Sequence, residues 1–237
     1  MQKSNFLFTT LITASLLINL TGCGSDDNDT IELPEIPKLM VPTYAPSAGS
    51  IPVPNDILFL GTTDLTLNIP VADPENFGDP QVAINSLDGW SALAPFAINF
   101  HANDASLTLN PSSVVGGAGV HVFQVNTLRA EVAPGIPGPT GPVTSVIREL
   151  TPNLEYVVTP TSSSSIAIIP TTPFEQQAGY MVVLTNALTD SAGNPLQADF
   201  EYFSAKSPTP IPASSSLAAL EPVRQLVNAM EAAADAG

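Results

Sequence analysis

Short apolar runs separated by turn residues recur along most of the chain, and they predict strands. The run at 57–60 and the alternating stretch at 65–69 flank Gly61-Thr62-Thr63-Asp64, a turn signal, so together they predict a hairpin. Residues 96–100 and 107–109 are further short strands. Residues 120–125 alternate, with Val120, Val122 and, less cleanly, Gln124 on one face and His121 on the other. Strands are then expected at 143–150, 154–158, 165–169 and 179–185, and Phe200 to Phe203 reads as the last. Strands this short, spaced about ten residues apart, predict a mainly β chain folded as a β-sandwich. The glycine-rich stretch 114–119 and the Pro/Gly-rich stretch 132–142 are loops, the second too short for a collagen tract.

Two helical patterns break this rhythm. Asp79-Pro80 can cap and start a short helix near 80–88, with Val82, Ala83, Ile84 and Leu87 on its buried side and Gly89 as its stop. Trp90, the only tryptophan, follows at once and reads as a core plug. Farther on, Leu217, Leu220, Val223, Val227 and Met230 fall at helical spacing. Glu221, Arg224, Gln225, Asn228 and Glu231 lie largely on its other faces. Ser214-Ser215-Ser216 can cap this helix, and Pro222, tolerated only in a first turn, moves its regular part to about Glu221. Such an amphipathic helix needs something to lie against, and the expectation is a domain beyond it.

The first residues carry a different pattern. Lys3 precedes a mostly apolar run at 6–20, and small residues lead to Cys23. That is the shape of a secretory leader, and the run is shorter than the roughly 20 residues of a spanning helix. Leu20-Thr21-Gly22-Cys23 resembles the bacterial lipoprotein signal. The resemblance implies cleavage between Gly22 and Cys23, a diacylglycerol on the Cys23 thiol and an acyl group on its new amino group. Several acyl chains together anchor a chain stably. Gly24 stands where an aspartate would resemble the inner-membrane retention signal, so the resemblance implies the outer membrane, the cell surface being one of its two faces. Residues 24–38, acidic and then proline-bearing, read as a solvated tether. Its Asp/Asn cluster lacks the turn glycine and distal glutamate of a calcium loop.

Charge narrows the partners. Lys plus Arg is 6 and Asp plus Glu is 22, a net charge of −16. Nucleic acid and electrostatic attraction to anionic membrane are thereby disfavoured, since both need clustered cations. Charged residues are only 12% and hydrophobic ones 44%, which excludes a disordered chain. Cys23 is the sole cysteine, so no internal disulfide forms and the core alone must hold the fold.

Two stretches carry a further resemblance. Ile51-Pro52-Val53-Pro54-Asn55-Asp56, Leu67-Asn68-Ile69-Pro70 and the string from Asp79-Pro80-Gln81 to Gly89-Trp90-Ser91 resemble the N-terminal region of bacterial virulence-factor lipases, from about Pro46 to the end. Separately, 179–196 resembles the closing strands of bacterial Ig-like domains. Together these imply an Ig-like β-sandwich with a short helix near 80–88 and a C-terminal amphipathic helix. The organisation expected is a signal peptide at 1–22, a lipidated acidic tether at 23–40 and a β-rich domain at 41–205. A Pro/Ser linker at 206–216 and a helix at 217–237, leading to a catalytic domain, complete it.

In that family the chemistry sits in an α/β-hydrolase domain with a G-x-S-x-G nucleophile elbow, and this chain has no such pentapeptide. His101 and His121 are the only histidines, and neither lies beside an elbow serine, so both read as surface or edge residues. No catalytic residue, metal ligand set or cofactor is expected; Gly116-Gly117-Ala118-Gly119 lacks the Lys-Ser/Thr of a phosphate loop. The reading is an accessory and anchoring domain of an outer-membrane lipoprotein lipase, a carboxylic ester hydrolase. Its partners would be the membrane, through Cys23, and a hydrolase domain in the same or a separate chain. The alternatives are a stand-alone Ig-like lipoprotein that binds a protein or glycan, and a complete small hydrolase.

Overall fold

A computed structural model describes residues 37–236, apart from 63, 65, 129–130, 134–135 and 138–141; of 131–133 and 136–137 it describes the backbone. Gly22, Cys23, the leader and the acidic tether lie outside the described residues. The strands are β1 (Met40–Pro42), β2 (Phe96–Ala102), β3 (Val120–Thr127), β4 (Glu131–Ala133), β5 (Ile136–Pro137), β6 (Val143–Glu149), β7 (Tyr156–Ser162), β8 (Ser165–Pro170) and β9 (Gly179–Leu184). The helices are α1 (Pro80–Ile84), α2 (Phe200–Ala205) and α3 (Glu221–Ala236).

Every strand pair is antiparallel. One sheet runs β1-β2-β8-β7 and the other β6-β3-β9. The period-two pattern does what alternation requires. Ile98 and Phe100 of β2 and Ile166 and Ile168 of β8 turn into one core from the first sheet, and Val120 and Val122 of β3 meet them from the second. Val182 and Leu184 of β9 pack against the same cluster. Tyr156 of β7 is fully buried there, and its hydroxyl donates to the Val120 carbonyl at 3.1 Å, so one side chain ties the two sheets. The architecture is a sandwich of four and three strands, and the Ig-like resemblance of 179–196 remains one of sequence. Gly119 sits where the loop before β3 passes under Leu188. A Cβ there would lie 2.7 Å from the Ser113 carbonyl oxygen and 2.9 Å from Leu188, so only glycine lets the chain through.

Several sequence expectations give way, each for a local reason. Among the described residues, 57–60 and 65–69 form no strands of a hairpin, although Asn68 donates to the Leu58 and Leu60 carbonyls at 2.6 and 2.8 Å. Asp56–Phe59 winds as a 3₁₀ turn because the Asn55 side chain accepts from the Ile57 amide at 3.0 Å. Leu67 also donates to the Leu87 carbonyl, and the Asn85 amide brackets the Ile69 backbone at 2.8 and 2.9 Å. That bracket also shortens the helix expected over 80–88, since Asn85 caps α1 and the chain leaves helical geometry. Only Val82 of the expected buried side is even half-buried; Ala83, Ile84 and Leu87 are exposed. Trp90 lies outside the main core, edge-on to Phe59 at 6.3 Å between ring centroids. Residues 107–109 make a single bridge, Leu109 to Asp190, rather than a strand. The loop at 132–142 contains the small β4–β5 ladder.

The largest correction is at Phe200 to Phe203, expected as a strand and found as α2. The Asp199 carboxylate accepts from the Glu201 amide at 2.9 Å and caps the first turn, and this local bond outweighs the strand preference of aromatic residues. Along α3, Val223 and Val227 pack with Leu220 and Ala205 in a second core, joined by Tyr44, Ile57, Tyr202, Ile211, Leu217 and Met230. The apolar stripe of the C-terminal helix is therefore covered by this chain's own residues.

Candidate functional site: the histidines and the helical layer

Catalysis by this chain would need one of its two histidines beside a nucleophile, so their surroundings come first. His121 is held at both ring nitrogens. Nδ1 lies 2.6 Å from a Glu149 carboxylate oxygen and Nε2 lies 3.0 Å from the Ala118 carbonyl oxygen. A carbonyl oxygen only accepts, so Nε2 donates to it and is not free to take a proton from a serine. The ring also stacks on Phe123, 6.0 Å away, and its role is to pin the glycine loop 116–119 onto the sheet. That loop runs into a strand, not a helix, and offers no helix N-terminus to a phosphate.

His101 ends β2 with 56% of its side chain exposed. Nδ1 is 3.4 Å from the Thr43 hydroxyl, and Nε2 is 3.8 Å from the Asp199 carboxylate, an ion-pair separation longer than a hydrogen bond. Among the described residues no serine hydroxyl bonds either ring. Ser91 holds the third position of Gly89-Trp90-Ser91-Ala92-Leu93, where the elbow's final glycine is replaced by leucine. Its oxygen accepts from the Leu93 and Ala94 amides at 3.3 and 3.0 Å and so builds a turn. Among the described residues no group of three or more His, Cys, Asp or Glu is placed to hold a metal ion. Nor is any described helix long and apolar enough to cross a membrane.

What the structure does build is a rigid helical layer around α2. The Tyr202 hydroxyl donates to Glu231 of α3 at 2.7 Å, and the Lys206 ammonium meets the other Glu231 oxygen at 2.6 Å. Tyr44 packs edge-on against Tyr202, centroids 5.2 Å apart. Burial, and then the Glu231 carboxylate, push the Tyr202 hydroxyl far above the ordinary phenol range; burial and Glu201 do the same to Tyr44. Both stay neutral and serve as packing and hydrogen-bonding groups. The Glu201 carboxylate bonds the Ser47 amide at 3.0 Å and also its hydroxyl. Arg224 forks onto Glu221 at 2.8 and 2.7 Å and donates to the Ser207 carbonyl at 3.2 Å, while Glu221 accepts from the Ile211 amide. The proline-rich segment before α3 is thus bonded to α3 itself. A shallow open groove of about 280 Å³ runs between the start of β6 and Ala229, Ala232, Ala233 and Ala236 of α3, with no charged group in its wall.

At the far end of β3, Gln124 is only 6% exposed and relays between charges. Its oxygen accepts from Arg148 at 3.1 Å and its amide donates to Glu175 at 2.8 Å. Arg148 forks onto Glu155 at 2.9 and 2.8 Å, and Glu155 also accepts from the Thr151 amide. These bonds, Arg148 first, hold the Glu155 carboxyl at about 2, below its ordinary 4.5. The folded state therefore binds this proton more weakly than the unfolded state. The stabilisation is complete above pH 4.5 and is lost as pH falls through about 2. Glu155→Gln is expected to be less stable than wild type at pH 7, with a gap that narrows steadily between pH 4.5 and 2. Urea midpoints measured across that range check it; a gap that stays constant with pH rejects the assignment.

The sequence pattern missed the exposed aromatic pair of α2, Phe200 and Phe203. Their spacing of three, behind the capping string Asp199-Phe200-Glu201, was the available signal, and the strand preference of three aromatic residues in four hid it. Compared with known families, the chain matches the one described as bacterial virulence factor lipase N-terminal, over residues 51–236. That span takes in β2 to β9, α2 and α3, while β1 precedes it. Comparison with curated proteins gives no match, and neither does comparison with solved structures.

Proposed function

The chain belongs to the bacterial virulence factor lipase N-terminal family, and from that premise we propose that it is the accessory domain of a lipase, a rigid β-rich support that carries no ester-cleaving centre of its own. The observation that carries the reading is the match over residues 51–236, which takes in β2 to β9, α2 and α3. It is supported by His121, both of whose ring nitrogens are engaged, and by His101, which meets no serine among the described residues. Ester cleavage belongs to an α/β-hydrolase domain, in the same chain or a separate one. Because the apolar stripe of α3 is already covered, such a domain would meet this one through another surface.

The proposal includes the anchor. Cys23, freed by cleavage after Gly22, carries the acyl chains and fixes the domain to the outer membrane. From Cys23 to Pro37 the chain spans at most about 50 Å, so the support stays close to the lipid. The test is turnover. The purified full chain is expected to hydrolyse neither p-nitrophenyl butyrate nor phosphatidylcholine above the buffer rate. Turnover by the unmodified chain that His101→Ala removes would overturn the assignment.

A further inference from the structure

α2 presents two phenylalanines to solvent, and they lie where the tether joins the folded domain. Phe200 and Phe203 are each 70% exposed and stand three residues apart on one helical face. The opposite side of the helix is fixed: Ala205 is buried, Tyr202 is bonded to Glu231, and Asp199 caps the first turn. The aromatic pair is therefore presented by a helix held from behind.

The position of the tether says what covers the pair. The first described residues are clamped by Asn103, whose amide donates to the Pro37 carbonyl at 2.9 Å and accepts from the Leu39 amide at 2.8 Å. The Met40 carbonyl accepts from the Gln197 amide at 3.1 Å. Phe200 follows three residues after Gln197, at most about 11 Å along the backbone. Leu39, one residue before Met40, is also exposed. Lys38 pairs with Asp104 at 2.8 Å and Lys206 with Glu231 at 2.6 Å, while Asp199 caps α2 and Glu201 is turned onto Ser47.

We propose that the Phe200–Phe203 face of α2 rests in the lipid surface to which Cys23 is anchored. The proposal rests on the anchor reading given above. Phenylalanine gains on entering the headgroup boundary, and a pair of them on one helical face enters it together. The contact is apolar, so it does not depend on anionic lipid.

The experiment uses the full acylated chain in zwitterionic phosphatidylcholine–phosphatidylethanolamine vesicles with brominated acyl chains. Phe203→Trp supplies the reporter indole, Phe77→Trp the exposed control indole, and the parent chain gives the Trp90 background. Bromine is expected to quench the reporter by about twofold or more and to leave the control unchanged, since quenching needs contact with the acyl region. Adding Phe200→Ser to the Phe203→Trp chain should weaken the quenching of the reporter. Palmitate uptake and flotation with the vesicles report the anchor independently. If the chain floats and is labelled but the reporter is quenched no more than the control, α2 faces water or a protein and the inference is overturned with the anchor intact. If label and flotation are both missing, the anchor reading fails and takes this inference with it.

Discussion

Cys23→Ser should abolish incorporation of labelled palmitate, leaving no band above background where the wild-type chain is strongly labelled. The reason is chemical. Cys23 is the only thiol in the chain, and the lipid attaches to sulfur, which a serine hydroxyl does not replace. The physical consequence is as large as the chemical one. Each buried methylene adds about 0.8 kcal/mol of membrane affinity, so losing several acyl chains removes the anchor rather than weakening it. Labelling the wild-type and variant chains in a bacterial host that performs this processing checks the outcome. Equal labelling of the two would reject lipidation at this residue.

Ile168→Ala is expected to cost about 4 kcal/mol, near the upper part of the range for deleting a buried isoleucine side chain. Ile168 has 0% of its surface exposed. It lies on an inner strand of the four-stranded sheet, opposite Phe96 on one side and Val158 on the other, and its side chain belongs to the core between the sheets. No cross-link compensates, because the only cysteine precedes the domain. Domains of this size have a total stability of roughly 5–15 kcal/mol, so the loss is a large share of it. The thermal midpoint should fall by about 10 °C or more. Ile147→Ala on β6, half exposed, should stay within about 0.5 kcal/mol. Urea unfolding of the two variants in parallel is the measurement. Equal midpoints for both would mean that the sheets do not enclose the core as described.

The β-sandwich was legible because alternation is a direct record of burial. Val120 and Val122 with His121 between them showed which side chains turn inward before any pairing was known, and the run 165–169 showed a strand. The C-terminal helix was legible for the same reason at a different period. What was hidden turned on single hydrogen bonds that leave no periodic trace. The Asn85 bracket on Ile69 ended a helix early, the Asn55 cap turned an expected strand into a 3₁₀ turn, and Asp199 made a helix from an aromatic-rich stretch. Both histidines read as surface or edge residues, but His121 lies on the central strand β3 with 21% of its side chain exposed; its double engagement needs Glu149 and Ala118, and only the β3–β6 register and the preceding turn bring those to it.

The covering of α3 by its own chain has a consequence for how such a domain travels. A helix whose greasy seam is closed from within exposes nothing sticky when its neighbour is exchanged or cut away. The unit is portable: it could be joined ahead of different enzymes without a matching socket for this helix.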